Sequence, residues 1–212
     1  ARKYDESLSR YEEALPLSIA LEDAPAEMTI RQRLGELTAQ RGDVAGSVTR
    51  YTEALGAARA LEDEGAEGAI RHELGRLRAD EGDLQGAVEH YSAALTIARR
   101  LNDRCAEGEV LLRLADLSGG DTAIEQRHAA LVAFDAAGDR RRSAATLRAL
   151  GEAYAGRDRL SQAIVSYDQA LALAHDLPDP ALAAQTAAAL AGLHAANGDT
   201  KRAISADRLA LE

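Results

Sequence analysis

The sequence predicts an all-α fold, an α-solenoid of about five antiparallel helix pairs, and three observations carry that expectation. The chain repeats itself at a spacing of forty residues. Its core must be built from alanine and leucine, because aromatics are only 3% of 212 residues and tryptophan is absent. Four prolines in the whole chain leave room for long helices.

The repeat is read from aligned residues. Residues 43–63, DVAGSVTRYTEALGAARALED, return forty positions on as DLQGAVEHYSAALTIARRLND. Tyr11, Tyr51 and Tyr91 align, as do Ala14, Ala54 and Ala94, and Leu15, Leu55 and Leu95. A period of this length means stacked units, each burying its apolar side on its neighbours.

Taken in order, residues 1–23 read as the second helix of a partial repeat. Residues 24–63 pair a first helix with stripe Ile30, Leu34, Leu37 and a second with Val48, Tyr51, Leu55, Ala58. Residues 64–103 repeat this with Ile70, Leu74, Leu77 and then Val88, Tyr91, Leu95, Ala98. In 104–139 the first stripe is Val110, Leu114, Leu117, but four residues are lost in LSGGDTA. Residues 140–179 restore the pattern with Leu147, Leu150, Tyr154 and Ile164, Tyr167, Leu171, Ala174. Residues 180–212 form a terminal repeat in which Asp207 takes the aromatic's place, as an end cap would allow.

The corners have their own signals. Arg41-Gly42-Asp43 corresponds to EGD at 81–83 and NGD at 197–199. Glycine supplies a left-handed helix end and aspartate caps the next helix, so this RGD is a bend and not an adhesion motif. Asp23, Asp63, Asp103, Asp139 and Asp179 stand at the corresponding helix starts between repeats. Gly35, Gly75, Ala115 and Gly151 follow the central leucines, where Ala54, Ala94 and Ala170 are the expected close partners.

Leu34, Gly35, Ser47, Tyr51 and Ala54 are matched by Leu74, Gly75, Ala87, Tyr91 and Ala94, and by Leu150, Gly151, Ala163, Tyr167 and Ala170. This spacing resembles the tetratricopeptide repeat over nearly the whole chain. The period exceeds that family's usual length. It is similar to the longer variety found in kinesin light chains, polarity adaptors and the sensor arrays of large bacterial (actinomycete-like) transcription regulators. The resemblance implies a right-handed superhelix whose concave groove is lined by the first helices. The polar faces opposite their apolar stripes carry Gln32, Glu36, Gln40, His72, Arg76, Asp80, Leu112, Asp116, Arg148 and Glu152, the expected partner-binding residues. The alternative is a solvated polar face. The lysine–asparagine clamp of relatives that hold a C-terminal carboxylate has no counterpart in Gln32, Glu36, His72 and Arg76. A mixed-charge peptide, helix or neighbouring domain fits better.

The third repeat breaks the pattern, with Arg127 in the aromatic's place and the sole phenylalanine, Phe134, further along. Arg127 and Phe134 are expected to mark a notch or altered curvature near 112–127. The plainer reading has Arg127 turned outward to solvent. GDRRRSA at 138–144 is the one dense basic cluster, expected to pair with nearby carboxylates, with a phosphate or acidic partner as the alternative.

Chemistry is scarce. No phosphate-binding loop or nucleophile elbow is present, and RHELGRL offers Arg76 where a zinc-binding helix needs its second histidine. The five histidines have no ligand spacing, and Cys105 is the lone cysteine, at a tolerant corner position. No enzyme activity, metal or cofactor is expected. A net charge of −10 argues against nucleic acid or anionic membranes as partners. No apolar run reaches membrane-span length and no signal peptide opens the chain, so a cytoplasmic setting is expected. Without an initiating methionine, the chain reads as part of a longer protein. Arginine outnumbers lysine heavily, which fits a GC-rich bacterial source. The expected function is a protein- or peptide-binding scaffold, the regulatory segment of a larger bacterial signalling or transcription-regulating protein. The alternatives are an effector receptor that changes curvature and a module that self-associates through its ends.

Overall fold

The computed structural model describes the backbone of residues 2–175, 177 and 179–211, and the side chains of residues 5–175, 177 and 179–206. The expected cap at Asp207 lies outside the described side chains. Among the described residues there are eleven helices and no strand. The chain divides into two compact units, one ending at Asp103 and one starting at Arg104.

The first unit holds α1 (Arg2–Ala20), α2 (Ala24–Gln40), α3 (Val44–Ala60), α4 (Glu64–Asp80) and α5 (Leu84–Arg100). The second holds α6 (Arg104–Leu117), α7 (Gly120–Ala137), α8 (Arg140–Ala155), α9 (Leu160–His175), α10 (Pro180–Ala196) and α11 (Thr200–Leu211). Within each unit a helix packs chiefly on its sequence neighbours, as a solenoid requires. Helices α2 to α5 are each 17 residues long. Two such helices and two three-residue corners make up the forty-residue period.

The corners are of two kinds. Gly42, Gly82 and Gly198 sit at φ 83°, 82° and 78°, so RGD is the helix-ending turn its spacing implies. Asp43, Asp63, Asp83 and Asp139 each accept a hydrogen bond at 2.9 Å from the backbone N–H three residues on. The alternate corners are left-handed too, at Glu22 (φ 55°), Glu62 (φ 56°) and Asn102 (φ 54°). Asparagine tolerates that conformation, but nothing in glutamate announces it.

Tyr51, Tyr91 and Tyr167 are buried. Their rings are what an added Cβ on the helix glycines would meet first. A Cβ on Gly35, Gly75 or Gly151 would stand 2.8, 2.8 or 2.7 Å from the ring of Tyr51, Tyr91 or Tyr167. The ring gives these glycines a packing reason beyond the expected small-residue contact: a flat ring face needs a bare backbone strip to lie on.

In the third repeat α6 has 14 residues, shorter than its counterparts. Arg127 does not turn outward. Its guanidinium donates to Asp116 at 3.0 Å and to the Ala123 carbonyl at 3.3 Å. Phe134 is fully buried and lies on Gly108. Val88, expected on an apolar stripe, is 41% exposed, as is Leu84 at 54%. Their register equivalents Val44 and Val48 pack against the cluster that includes Leu77 of α4. α5 is the last helix of its unit, so no helix of that unit lies beyond it.

Candidate functional site

In the first unit a cleft of about 250 Å³ opens between α2 and α4. Gln32, Arg33 and Glu36 line one side, Ile70 and Glu73 the other, and Tyr51 of α3 contributes from beneath. The sequence pattern places these residues together for a simple reason. Glycine at 35 lets Tyr51 pack flat on α2, while α4 lies beside the same helix α3 and brings its own polar face alongside.

Charges ring this cleft in alternating order. On α2 the Arg33 guanidinium donates to Glu36 at 2.9 Å. On α4 Arg76 donates through Nε to Glu73 at 3.0 Å and through Nη1 to Asp80 at 3.0 Å. A hydrogen bond with His72, at 3.4 Å, and the Arg76 guanidinium hold the Glu73 carboxyl below the usual carboxylate range, against the opposing effect of burial. Burial pushes the Tyr51 phenol up to about 12, and Glu73 and Glu36 add to that shift while Arg76 and Arg33 oppose it. The phenol thus stays protonated and able to donate at neutral pH.

Gln32 and Glu36 lie on the cleft, and Arg76 stands beside Glu73 on its wall. Gln40 donates to Glu36 at 3.4 Å, a long contact at the edge. His72 lies against the Tyr91 ring with centroids 5.6 Å apart. Arg33, Glu73 and Tyr51 were not among the expected residues. Their signal was readable: Arg33/Glu36 and Glu73/Arg76 are oppositely ordered i, i+3 pairs forty residues apart.

In the second unit Arg148 pairs with Glu152 one turn on. Burial raises the pKa of the Tyr167 phenol, with Glu152 adding to the effect. Asp116 is held by Arg127, and Leu112 is half-buried. Phe134 belongs to the core and presents no surface. The basic run is engaged: Arg141 donates to Asp179 at 2.8 Å, and Arg142 pairs with Asp139 at 2.8 Å and with Glu109 at 2.5 Å. Among the described residues no three His, Cys, Asp or Glu side chains gather as a metal site. No helix formed by the described residues is long and apolar enough to cross a membrane.

Residues 146–181 match the family model of the tetratricopeptide repeat. The chain is similar to BtubC (BKLC) from P. vanneervenii at 26% identity and a TM-score of 0.83, covering 98% of this chain and 89% of that one. It is also similar to the apo form of RapI, at 15% identity and a TM-score of 0.80, covering 94% of this chain and 58% of RapI. A signal-transduction ATPase with numerous domains and a tetratricopeptide repeat sensor, from Pyrococcus horikoshii, aligns at 16% identity and a TM-score of 0.67. That alignment takes in 96% of this chain and 36% of the ATPase. At these identities RapI and the ATPase speak to fold alone. No curated protein matches the chain in sequence.

Proposed function

Since the chain is a solenoid of tetratricopeptide-type repeats, we propose that it is a non-catalytic scaffold that binds a protein or peptide through the polar faces of its first helices. In the same reading it is the regulatory array of a larger bacterial signalling or transcription-regulating protein and works in the cytoplasm. The observation that carries the binding role is the cleft between α2 and α4. It combines an apolar wall at Ile70, a phenol beneath, and opposed charges at its rim.

Size favours a macromolecular partner over a small effector. Small-molecule pockets run from roughly 300 to 1,000 Å³ and bury most of their ligand. A cleft of about 250 Å³ suits one protruding side chain of a longer segment. Nothing at this site favours a small molecule.

The test is selection of a randomised phage-displayed peptide library on the purified chain. Specific binders that weaken when Glu36 is changed to Lys or Arg76 to Glu support the proposal. Recovery of no specific binder, or of binders indifferent to both changes, overturns it.

A further inference from the structure

We infer that the α2–α4 cleft receives an amphipathic partner helix carrying an acid and a base one turn apart on each flank, with a neutral hydrogen-bonding side chain entering between them above Tyr51. This rests on the scaffold reading and narrows it to one chemistry of partner.

The order of the rim charges is the starting point. On α2 the cation Arg33 precedes the anion Glu36, and on α4 the anion Glu73 precedes the cation Arg76. Both are first helices of successive repeats, so they run the same way. Cations therefore sit on one diagonal of the cleft and anions on the other. The four formal charges cancel, and a uniformly acidic or basic segment meets as much repulsion as attraction. A helix laid along the cleft gains on all four corners only if its flanks alternate as well. Its α2 side needs an acid opposite Arg33 and a base opposite Glu36, and its α4 side needs the reverse.

The base of the cleft sets the middle residue. Among the described residues no side chain is hydrogen-bonded to the Tyr51 hydroxyl, although Tyr51 as a whole is buried. A phenol that stays neutral both donates and accepts, and a glutamine or asparagine amide answers both. Burying an aliphatic tip there would leave the hydroxyl unpaired.

The experiment uses the intact chain and three fluorescent alanine-based helical peptides of equal length, measured by anisotropy. One carries Glu–Lys pairs in the stated order around a central Gln, one is all-Glu at those positions, and one is all-Lys. The mixed peptide should bind about tenfold tighter than either of the others. The double change R33E/E36R keeps the ion pair on α2 and the net charge. It should erase that preference and transfer it to a peptide whose α2 flank is reversed. Tyr51→Phe should weaken the mixed peptide about fivefold to tenfold, with the urea midpoint unchanged as a check on folding. Equal or tighter binding of the all-Glu or all-Lys peptide overturns the inference, as does indifference of the mixed peptide to R33E/E36R. Library peptides that lack alternating pairs yet depend on Glu36 and Arg76 would overturn this charge rule and leave the scaffold reading standing. A library that yields no specific binder removes the scaffold reading itself.

Discussion

The Phe134 ring lies so close on Gly108 that a Cβ there would stand 2.6 Å from its Cε1. Gly108 is seven residues before Ala115, and Phe134 is seven after Arg127. In an antiparallel hairpin those opposite shifts keep the two positions facing one another, about two helical turns along the axis. The third repeat has kept the ring-on-glycine contact and moved it. At that level the other repeats place Ala58, Ala98 and Ala174, all buried.

Gly108→Ala should therefore cost about 1–3 kcal/mol, the ordinary penalty of overpacking. Gly192→Ala, within α10 and with nothing within 4 Å of the added Cβ, should instead stabilise by about 0.5–1 kcal/mol through helix propensity. Urea midpoints of the two variants should move in opposite directions. Equal shifts would contradict the assigned contact.

Glu62 occupies a left-handed conformation, which costs a residue with a side chain roughly 1–2 kcal/mol. Glu62→Gly should raise stability by up to about 1 kcal/mol, the relief being partly offset by glycine's greater entropy when unfolded. Gly42→Ala, at φ 83°, should lower it by a similar amount. Thermal melting of the pair checks both signs.

His90 on α5 lies in a basic surrounding. Burial holds its pKa below the ordinary range, Arg71 and Arg78 of α4 and Arg59 of α3 push the same way, and Glu89 opposes them. The unfolded chain takes up this proton first as pH falls. The stability contribution is thus complete above about pH 6.5 and is lost as pH drops through the lower folded value. Between about pH 7.5 and 5.5 the parent chain should lose more stability than His90→Gln. Parallel urea midpoints for the two proteins would refute the assignment.

Asp63 caps α4 by accepting from the Ala66 N–H at 2.9 Å. Asp63→Ala should cost about 1 kcal/mol, and Asp63→Ser should recover most of it. Circular-dichroism melts of both variants would separate loss of the cap from a general charge effect.

Much of this protein was legible as sequence because its determinants are local. The helical stripes, the aspartate caps, the glycine corners and the forty-residue period depend on residues a few positions apart. Even the glycine strips on the first helices were visible, though the rings that lie on them were not read as their partners. That the Tyr51 ring comes nearest to Gly35 depends on how far α3 slides along α2, which spacing does not encode.

Gln32 and Glu36 on α2, and Arg76 on α4, could each be assigned to the polar face of its own helix from helical periodicity alone. Their assembly with Arg33, Glu73 and the Tyr51 phenol could not, because it needs α4 laid beside α2 over a shared neighbour. The left-handed Glu62, the inward fold of Arg127 and the displaced Phe134–Gly108 contact belong to the same class. Repeating local energetics determined how many helices form and where each one starts and stops. The packing of side chains distant in sequence decided which faces meet, because close-packed interiors admit only arrangements in which ring, backbone and ion pair fill the space together.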